Sequence, residues 1–416
     1  MFNQLFKCSR AIEHHTVAPL REQRLRYLTH CAEQGTARGT LRAIAQYLLV
    51  IIEQMNLPAE GEIRIENIKT AAHQWASRQP QHHKTKEARD SRVRFIRIAT
   101  QWARFLGRLH IPAIPPSPYA HLVAEFAGYM KREKGLSPLT IRTECGNVED
   151  FLNYYRTQPV PLHEISIAFI DEILARKGSQ NGYTRASIRT YAASLRAFFR
   201  YAEIRGWCAP GLASAIMTPR VFKQELLPAG PSWKDVQRLL ASTDGDQPVD
   251  IRDRAILMLF CIYGLRTGEV LGLRLEDLDW EQEMIHLIRP KTRRTQPYPL
   301  SHTVGETILR YLKEVRPRSP YREVFLTLKA PFTPVSRSTL WQVVSRRLRQ
   351  LDIRLKHFGP HTLRHACATR LLAEGLSLKE IGDHLGHRNP DVTRIYAKVD
   401  IAGLSEVADF DLEGLL

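Results

Sequence analysis

Apolar positions recur at helical spacing along most of this chain. From Thr40 to Met55, Leu41, Ile44, Ala45, Leu48, Ile51 and Ile52 line one face of an amphipathic helix. Residues 1 to about 110 read as helices throughout, the last spanning His83–His110. The run Ile111-Pro112-Ala113-Ile114-Pro115-Pro116-Ser117-Pro118 cannot continue a helix and marks a boundary. Four helices follow, near Tyr119–Lys134, Ser137–Arg156, Ile165–Lys177 and Thr184–Arg205, the second opened by Ser137-Pro138. Gly206–Pro231, rich in Pro and Gly, reads as a linker. A further region begins at Ser232, an N-cap with Asp235 three residues on. It continues through an apolar helix Arg252–Tyr263 and a short helix ending at Leu273. Strand Met284–Ile288, a basic turn and strand Tyr298–Leu300 come next, with Val324–Leu326 as the expected third strand. Helices Ser336–Leu351, His361–Glu374, Leu378–Leu385 and Asp391–Tyr396 complete it. The expected fold is mainly α: a helical region 1–110, a helical domain 117–210, a mixed α+β domain 232–398 with a small antiparallel sheet, and a tail 399–416. No internal repeat is evident.

Composition narrows the partner. The 416 residues are 44% hydrophobic, enough for two or three packed cores, and carry a formal charge of +17. Such an excess of Lys and Arg favours a polyanion, nucleic acid above all. The longest apolar runs, Tyr47–Ile52 and Ala255–Tyr263, fall far short of a bilayer span, and Met1–Arg10 lacks the apolar core of a signal peptide. Six scattered cysteines without C-x-x-C pairing suit a reduced, cytoplasmic, metal-free protein. Two helices are conspicuously basic. Arg185, Arg189, Arg196 and Arg200 lie on neighbouring turns opposite an apolar stripe of Ile188, Tyr191, Leu195 and Phe198, as suits a helix laid on DNA. His83–His110 holds Lys84, Lys86, Arg89, Arg92, Arg94, Arg97, Arg104 and Arg108 against Glu87 and Asp90; a solvated face and a DNA-backbone contact both fit.

Chemistry concentrates in Pro360-His361-Thr362-Leu363-Arg364-His365, which opens a helix with His361 and Arg364 on one face of its first turn. Arg offers a planar fork matched to two phosphate oxygens, and His can move a proton near neutral pH. His361/His365 and His384/His387 also have metal-ligand spacing, but Thr362 stands where H-E-x-x-H needs Glu. Around the motif lie Gly264-Leu265-Arg266-Thr267-Gly268-Glu269, Pro290-Lys291-Thr292-Arg293-Arg294, Leu385-Gly386-His387 and Tyr396. This order of Arg, Lys, His-x-x-Arg, His and Tyr resembles the catalytic set of the tyrosine recombinase/phage-integrase family. The resemblance spans roughly Ser117 to Lys398.

The resemblance implies a site-specific DNA recombinase that needs no metal or cofactor. Tyr396 would be the nucleophile, passing through a 3′-phosphotyrosyl ester. Arg266 and Arg364 would hold the non-bridging phosphate oxygens. Lys291 would protonate the leaving 5′ oxygen. His361 would shuttle the tyrosine proton and His387 would donate to the phosphate, with Glu269 and His365 in supporting positions. Gly135–Thr143 and the helix bearing Arg185, Arg189, Arg196 and Arg200 look like the family's core-binding domain, and Arg293 and Arg294 would add phosphate contacts. The implied partners are double-stranded DNA and further copies of the chain, a dimer per site and a tetramer in the synapse, with related recombinases or accessory proteins as additional candidates. The implied setting is the bacterial nucleoid. The helical N-terminal region, with no small β-type arm-binding domain in evidence, favours a transposon-borne enzyme over a phage one. An idle DNA-binding paralogue and a type IB topoisomerase are the alternatives. Lys398–Leu416 reverses sign, with one Lys against five acids, and its Ile401, Leu404, Val407 and Ala408 form an apolar stripe. It would dock either on its own domain or, as the family suggests, on a neighbouring protomer.

Overall fold

The computed structural model describes residues 1–58, 60–77, 85–112, 117–155, 162–221, 230–289, 295–387 and 392–399, without the side chains of 85–90, 155, 398 and 399. Two compact units result: Ile111–Glu225, and Met1–His110 together with Leu226–Leu416.

In the larger unit the N-terminal residues have a core of their own. Helices α1 (Phe2–Leu5), α2 (Ser9–Val17), α3 (Arg21–Glu33), α4 (Arg38–Met55), α5 (Ile65–Ser77) and α6 (Thr85–Phe105) enclose Leu28, Leu48, Ile68 and Phe95, all fully buried. The stripe read along α4 is the buried one, through Leu41, Ala45, Leu48, Ile51 and Ile52. Two short strands, β1 (Ile63–Arg64) and β2 (Leu109–His110), pair in parallel.

The smaller unit is all helical: α7 (Ala120–Arg132), α8 (Pro138–Tyr155), α9 (Ile167–Ser179), α10 (Arg185–Ile204) and α11 (Leu212–Ala215). The Thr184 hydroxyl caps α10 by accepting the Ser187 N–H at 3.2 Å. Phe126, Phe151, Phe198 and Phe199 form the centre of its core. The stretch read as a linker from Gly206 contributes to that core, since Leu212, Ala213 and Ile216 are buried in it. Short apolar runs between prolines carry too little periodicity to be read as packing segments.

Leu226–Leu416 holds α12 (Trp233–Ala241), α13 (Pro248–Ile262), α14 (Thr267–Gly272), β3 (Leu278–Asp279), β4 (Met284–Ile288), β5 (Thr295–Pro299), α15 (His302–Arg310), α16 (Arg337–Gln350), α17 (Pro360–Ala373) and α18 (Leu378–Leu385). Helix α13 is apolar on nearly every side and buried accordingly, with Ala255, Ile256, Leu257, Leu259 and Phe260 at zero exposure. It starts at Pro248, earlier than Arg252, because Pro fits the first helical turn. The antiparallel sheet has the order β3-β4-β5, running from Met284↔Pro299 to Ile288↔Thr295 in its hairpin. Its third strand is therefore Leu278–Asp279 and not Val324–Leu326. The latter is apolar because it is buried, and it makes only an isolated bridge, Leu326↔Pro334. The closing helix expected over Asp391–Tyr396 is instead a 3-10 turn, Arg394–Val399, with Asp391 outside the described residues. The chain is thus mainly α with one small antiparallel sheet. No helix among the described residues is long and apolar enough to cross a membrane.

Candidate active site

Four segments bring the predicted residues together. Arg266 precedes α14, His361 and Arg364 occupy the first turn of α17, His387 follows α18, and Tyr396 lies in the 3-10 turn. Lys291, Arg293 and Arg294 belong to the hairpin connection 290–294, outside the described residues.

The two arginines are held by backbone carbonyls. Arg364, only 2% exposed, donates Nη1 to Gly264 O at 2.6 Å and Nη2 to Leu385 O at 2.7 Å. Arg266 donates Nη2 to the next carbonyl, Gly386 O, at 3.0 Å. Its Nη1 and its backbone N–H go to the Glu269 carboxylate at 2.9 and 2.8 Å. Fixing both forks before a ligand arrives is the preorganisation that charge stabilisation requires. Two glycines make the turns. Gly264 (φ +58°) has no room for a Cβ, which would sit 2.6 Å from Leu385, and a Cβ on Gly386 (φ +63°) would strike the Arg289 guanidinium at 2.5 Å.

Sequence reasoning missed Arg289. It is 6% exposed, donates Nη1 to Glu269 Oε1 at 2.7 Å and Nη2 to Gln296 Oε1 at 2.9 Å, and also donates to the Tyr298 hydroxyl. Tyr298 in turn donates to His384 O, and Gln296 Nε2 to Asp383 O at 3.1 Å. The hairpin is thereby bolted to the C-terminal end of α18 and, through Glu269, to Arg266. Burial alone would push the Glu269 carboxyl up, but the Arg266 amide and the two guanidiniums outweigh it and hold it below the usual carboxylate range. Three guanidiniums around one carboxylate leave a surplus of positive charge. Burial, then neighbouring Arg266, brings even Arg364 down to about 10. Such a site is electrostatically incomplete without an anion.

The Tyr396 hydroxyl is 3.0 Å from Nδ1 of His365, and His361 stacks edge-on against His365 with ring centroids 4.5 Å apart. The imidazole at the hydroxyl is therefore that of His365, one turn beyond the His361 expected there. Tyr396 is 2% exposed, packed with Cys367, Ala368, Ile381 and Leu385. Burial raises its phenol to about 12, against the opposing pull of Arg364. Burial also lowers His365 and His387 to about 4, and lowers His361, with the arginines adding to the effect. His387 Nδ1 is 2.7 Å from the buried hydroxyl of Thr393, whose carbonyl accepts the Tyr396 N–H at 3.0 Å. Thr393, absent from the residues singled out in the sequence, thus ties His387 to the tyrosine's segment. Among the described residues no group of His, Cys, Asp and Glu is arranged to hold a metal ion.

In the smaller unit the arginines of α10 share a face. At 100° per residue Arg185, Arg189, Arg196 and Arg200 fall within an arc of about 60°, with Arg185, Arg189 and Arg200 exposed and Arg196 half-buried. A network around the buried Lys177 ammonium and the Tyr191 ring, with a half-exposed Asp150, packs on that helix. Lys177 Nζ is 2.6 Å from Asp150 Oδ2, which also accepts the Tyr191 hydroxyl at 2.7 Å, and the ammonium lies within 5.4 Å of the rings of Tyr154, Tyr183 and Tyr191. Burial would lower Lys177, but Asp150 more than offsets it.

Known proteins resemble this chain in sequence and fold. Residues 232–402 fit the phage integrase family, and 123–206 the phage integrase N-terminal SAM-like domain. An integrase/recombinase of Sinorhizobium fredii is 36% identical over 295 residues, 70% of this chain and 71% of that one. The tyrosine recombinase XerD of Listeria innocua is 31% identical over 293 residues, 69% of this chain and 96% of XerD. By fold the chain is similar to the XerH site-specific recombinase bound to its difH substrate (TM-score 0.53, 18% identity, 85% of this chain and 98% of that one). It is also similar to the Tn1549 transposon integrase in complex with circular intermediate DNA (TM-score 0.51, 19% identity, 66% and 94%). The chain belongs to the phage integrase family of tyrosine recombinases.

Proposed function

We propose that this recombinase breaks and rejoins DNA strands with Tyr396 as its nucleophile. The tyrosine oxygen attacks the scissile phosphorus, the bond to the 5′ oxygen breaks, and a 3′-phosphotyrosyl ester preserves the bond energy for rejoining. The observation that carries this reading is the 3.0 Å approach of the Tyr396 hydroxyl to the His365 imidazole. His365 is neutral near pH 7, so it receives the phenolic proton as the Oη–P bond forms, with His361 stacked behind it. Arg266 and Arg364 bind the non-bridging oxygens, where negative charge grows in the transition state, and His387 donates to one of them. Lys291 protonates the leaving 5′ oxygen. Arg185, Arg189, Arg196 and Arg200, with Arg293 and Arg294, grip flanking phosphates, so residues 117–210 serve to bind DNA and 232–398 to cut it. Copies pair on each site and four meet in the synapse, each handing its tail, 399–416, to a neighbour. Partner recombinases or accessory proteins would select the synapse.

The test is a nicked suicide duplex carrying the DNA site that the protein recombines. Wild type accumulates a covalent protein–DNA adduct, and Tyr396→Phe abolishes it while retaining binding. A normal adduct yield from the Phe variant overturns the assignment.

A further inference from the structure

Helix α6 carries an arginine face that the recombination chemistry does not use. At 100° per residue Arg94, Arg97 and Arg104 fall within an arc of about 80°, centred about 110° round the helix from the core face of Phe95, Ile98 and Trp102, which are at most 3% exposed. All three arginines are exposed, and none makes an ion pair with an acid among the described residues. Arg94 lies over the Tyr47 ring (5.9 Å), which packs on Trp75 (5.7 Å), itself on Phe95 (5.6 Å). A ladder of aromatic rings thus links the core to the base of the charged face.

We infer that this face binds the phosphate backbone of duplex DNA, as a contact surface separate from α10 and the active site. Protein and membrane partners fit it less well. A protein interface needs an apolar centre, and Val93 is the large apolar side chain exposed beside the arginines. A helix lying in a membrane needs a free apolar face, and that of α6 is already buried in its own core. From Arg94 to Arg104 the helix rises about 15 Å, and that length of duplex axis carries about nine phosphate charges. Guanidiniums without acidic partners reach such charges without first breaking an ion pair.

The inference rests on the chain's being a DNA recombinase, and its test separates the two. Binding of the full chain to a long duplex of arbitrary sequence is titrated against salt, for wild type and for R94Q/R97Q/R104Q. The triple variant should flatten the slope of log K on log salt by about 2 to 3, close to one unit for each lost phosphate contact. R94K/R97K/R104K should keep the wild-type slope, because a point charge suffices for phosphate. An unchanged slope in the Gln variant overturns the proposal. So does a slope lost equally with Lys, which marks a packing role for the guanidinium fork. A Gln variant that keeps its slope but stops sedimenting with phosphatidylserine vesicles, or stops self-associating, assigns the face to a membrane or a protein. Loss of the tyrosyl adduct reading with the Gln effect intact would sink the strand-exchange assignment and leave this surface standing.

Discussion

At the scale of single residues, the site is a cationic nest whose histidines are kept neutral. His365 and His387 sit at about 4 because burial and nearby guanidiniums disfavour the imidazolium. The unfolded chain binds those protons from about pH 6.5 downward. Stability contributed by the neutral rings is therefore complete above about 6.5 and is lost as pH falls toward 4. A bound phosphodiester reverses the preference, since an anion beside an imidazole raises its affinity for protons. The DNA-free protein should melt at a steady temperature above neutrality and at falling temperatures from pH 6.5 to 5. Calorimetry in buffers of different ionisation heat should show proton uptake on DNA binding near pH 6 and little near pH 8. His387→Gln should diminish that uptake; uptake of equal size in the variant would remove His387 from the phosphate. The residues that cluster here were legible in the sequence because the proposed chemistry draws on few side chains at short spacings, such as His361 and Arg364 on one turn. Which imidazole faces the hydroxyl was not, since one helical turn separates His361 from His365 and only the path of the chain after α18 decides between them.

At the scale of elements, the hairpin is more than a carrier for Lys291. Arg289, two residues earlier in the chain, is almost fully enclosed and ion-paired with a fully buried Glu269 side chain. Removing one partner of such a pair leaves the other charge buried and unmatched, which costs on the order of 3–5 kcal/mol. Arg289→Met should thus lower stability in a urea melt by about that much, and should slow cleavage more than it weakens DNA binding. Arg289→Lys should recover part of the stability, because an ammonium can pair with Glu269 but cannot also reach Gln296 and Tyr298. A Met variant of wild-type stability and cleavage rate would show that the bolt between hairpin and α18 is idle. No local signal marks Arg289, since its partners lie 20 residues back at Glu269 and, through Tyr298, near His384. The long helices were easier to read. Period and an N-cap side chain agree in α10 and α16, and period alone marks α4, whereas β3 is two residues long and Val324–Leu326 mimics a strand by being apolar.

At the scale of the molecule, charge is divided between ends of opposite sign. The chain as a whole carries +17, yet Lys398–Leu416 sets one Lys against five acids and adds the apolar stripe Ile401, Leu404, Val407 and Ala408. An acidic segment is repelled by a phosphate backbone, so its apolar side chains must find protein. Burying each large one is worth about 1.5–3 kcal/mol, enough for truncation to be felt wherever they dock. Docking on the same domain would make the shortened chain melt earlier. Docking on a neighbour would leave the isolated chain's stability unchanged and remove contacts made only once two copies sit on DNA. The second outcome is expected, because the tail begins a few residues past Tyr396. Handed to a neighbour there, the tail would couple placement of the proposed nucleophile to assembly and would keep strands from being cut before the complex is complete. A chain ending at Lys398 should therefore keep its melting temperature and bind a single half-site normally, while losing cooperative pairing in gel shifts and losing recombination. A large fall in melting temperature with cooperativity intact would place the tail on its own domain.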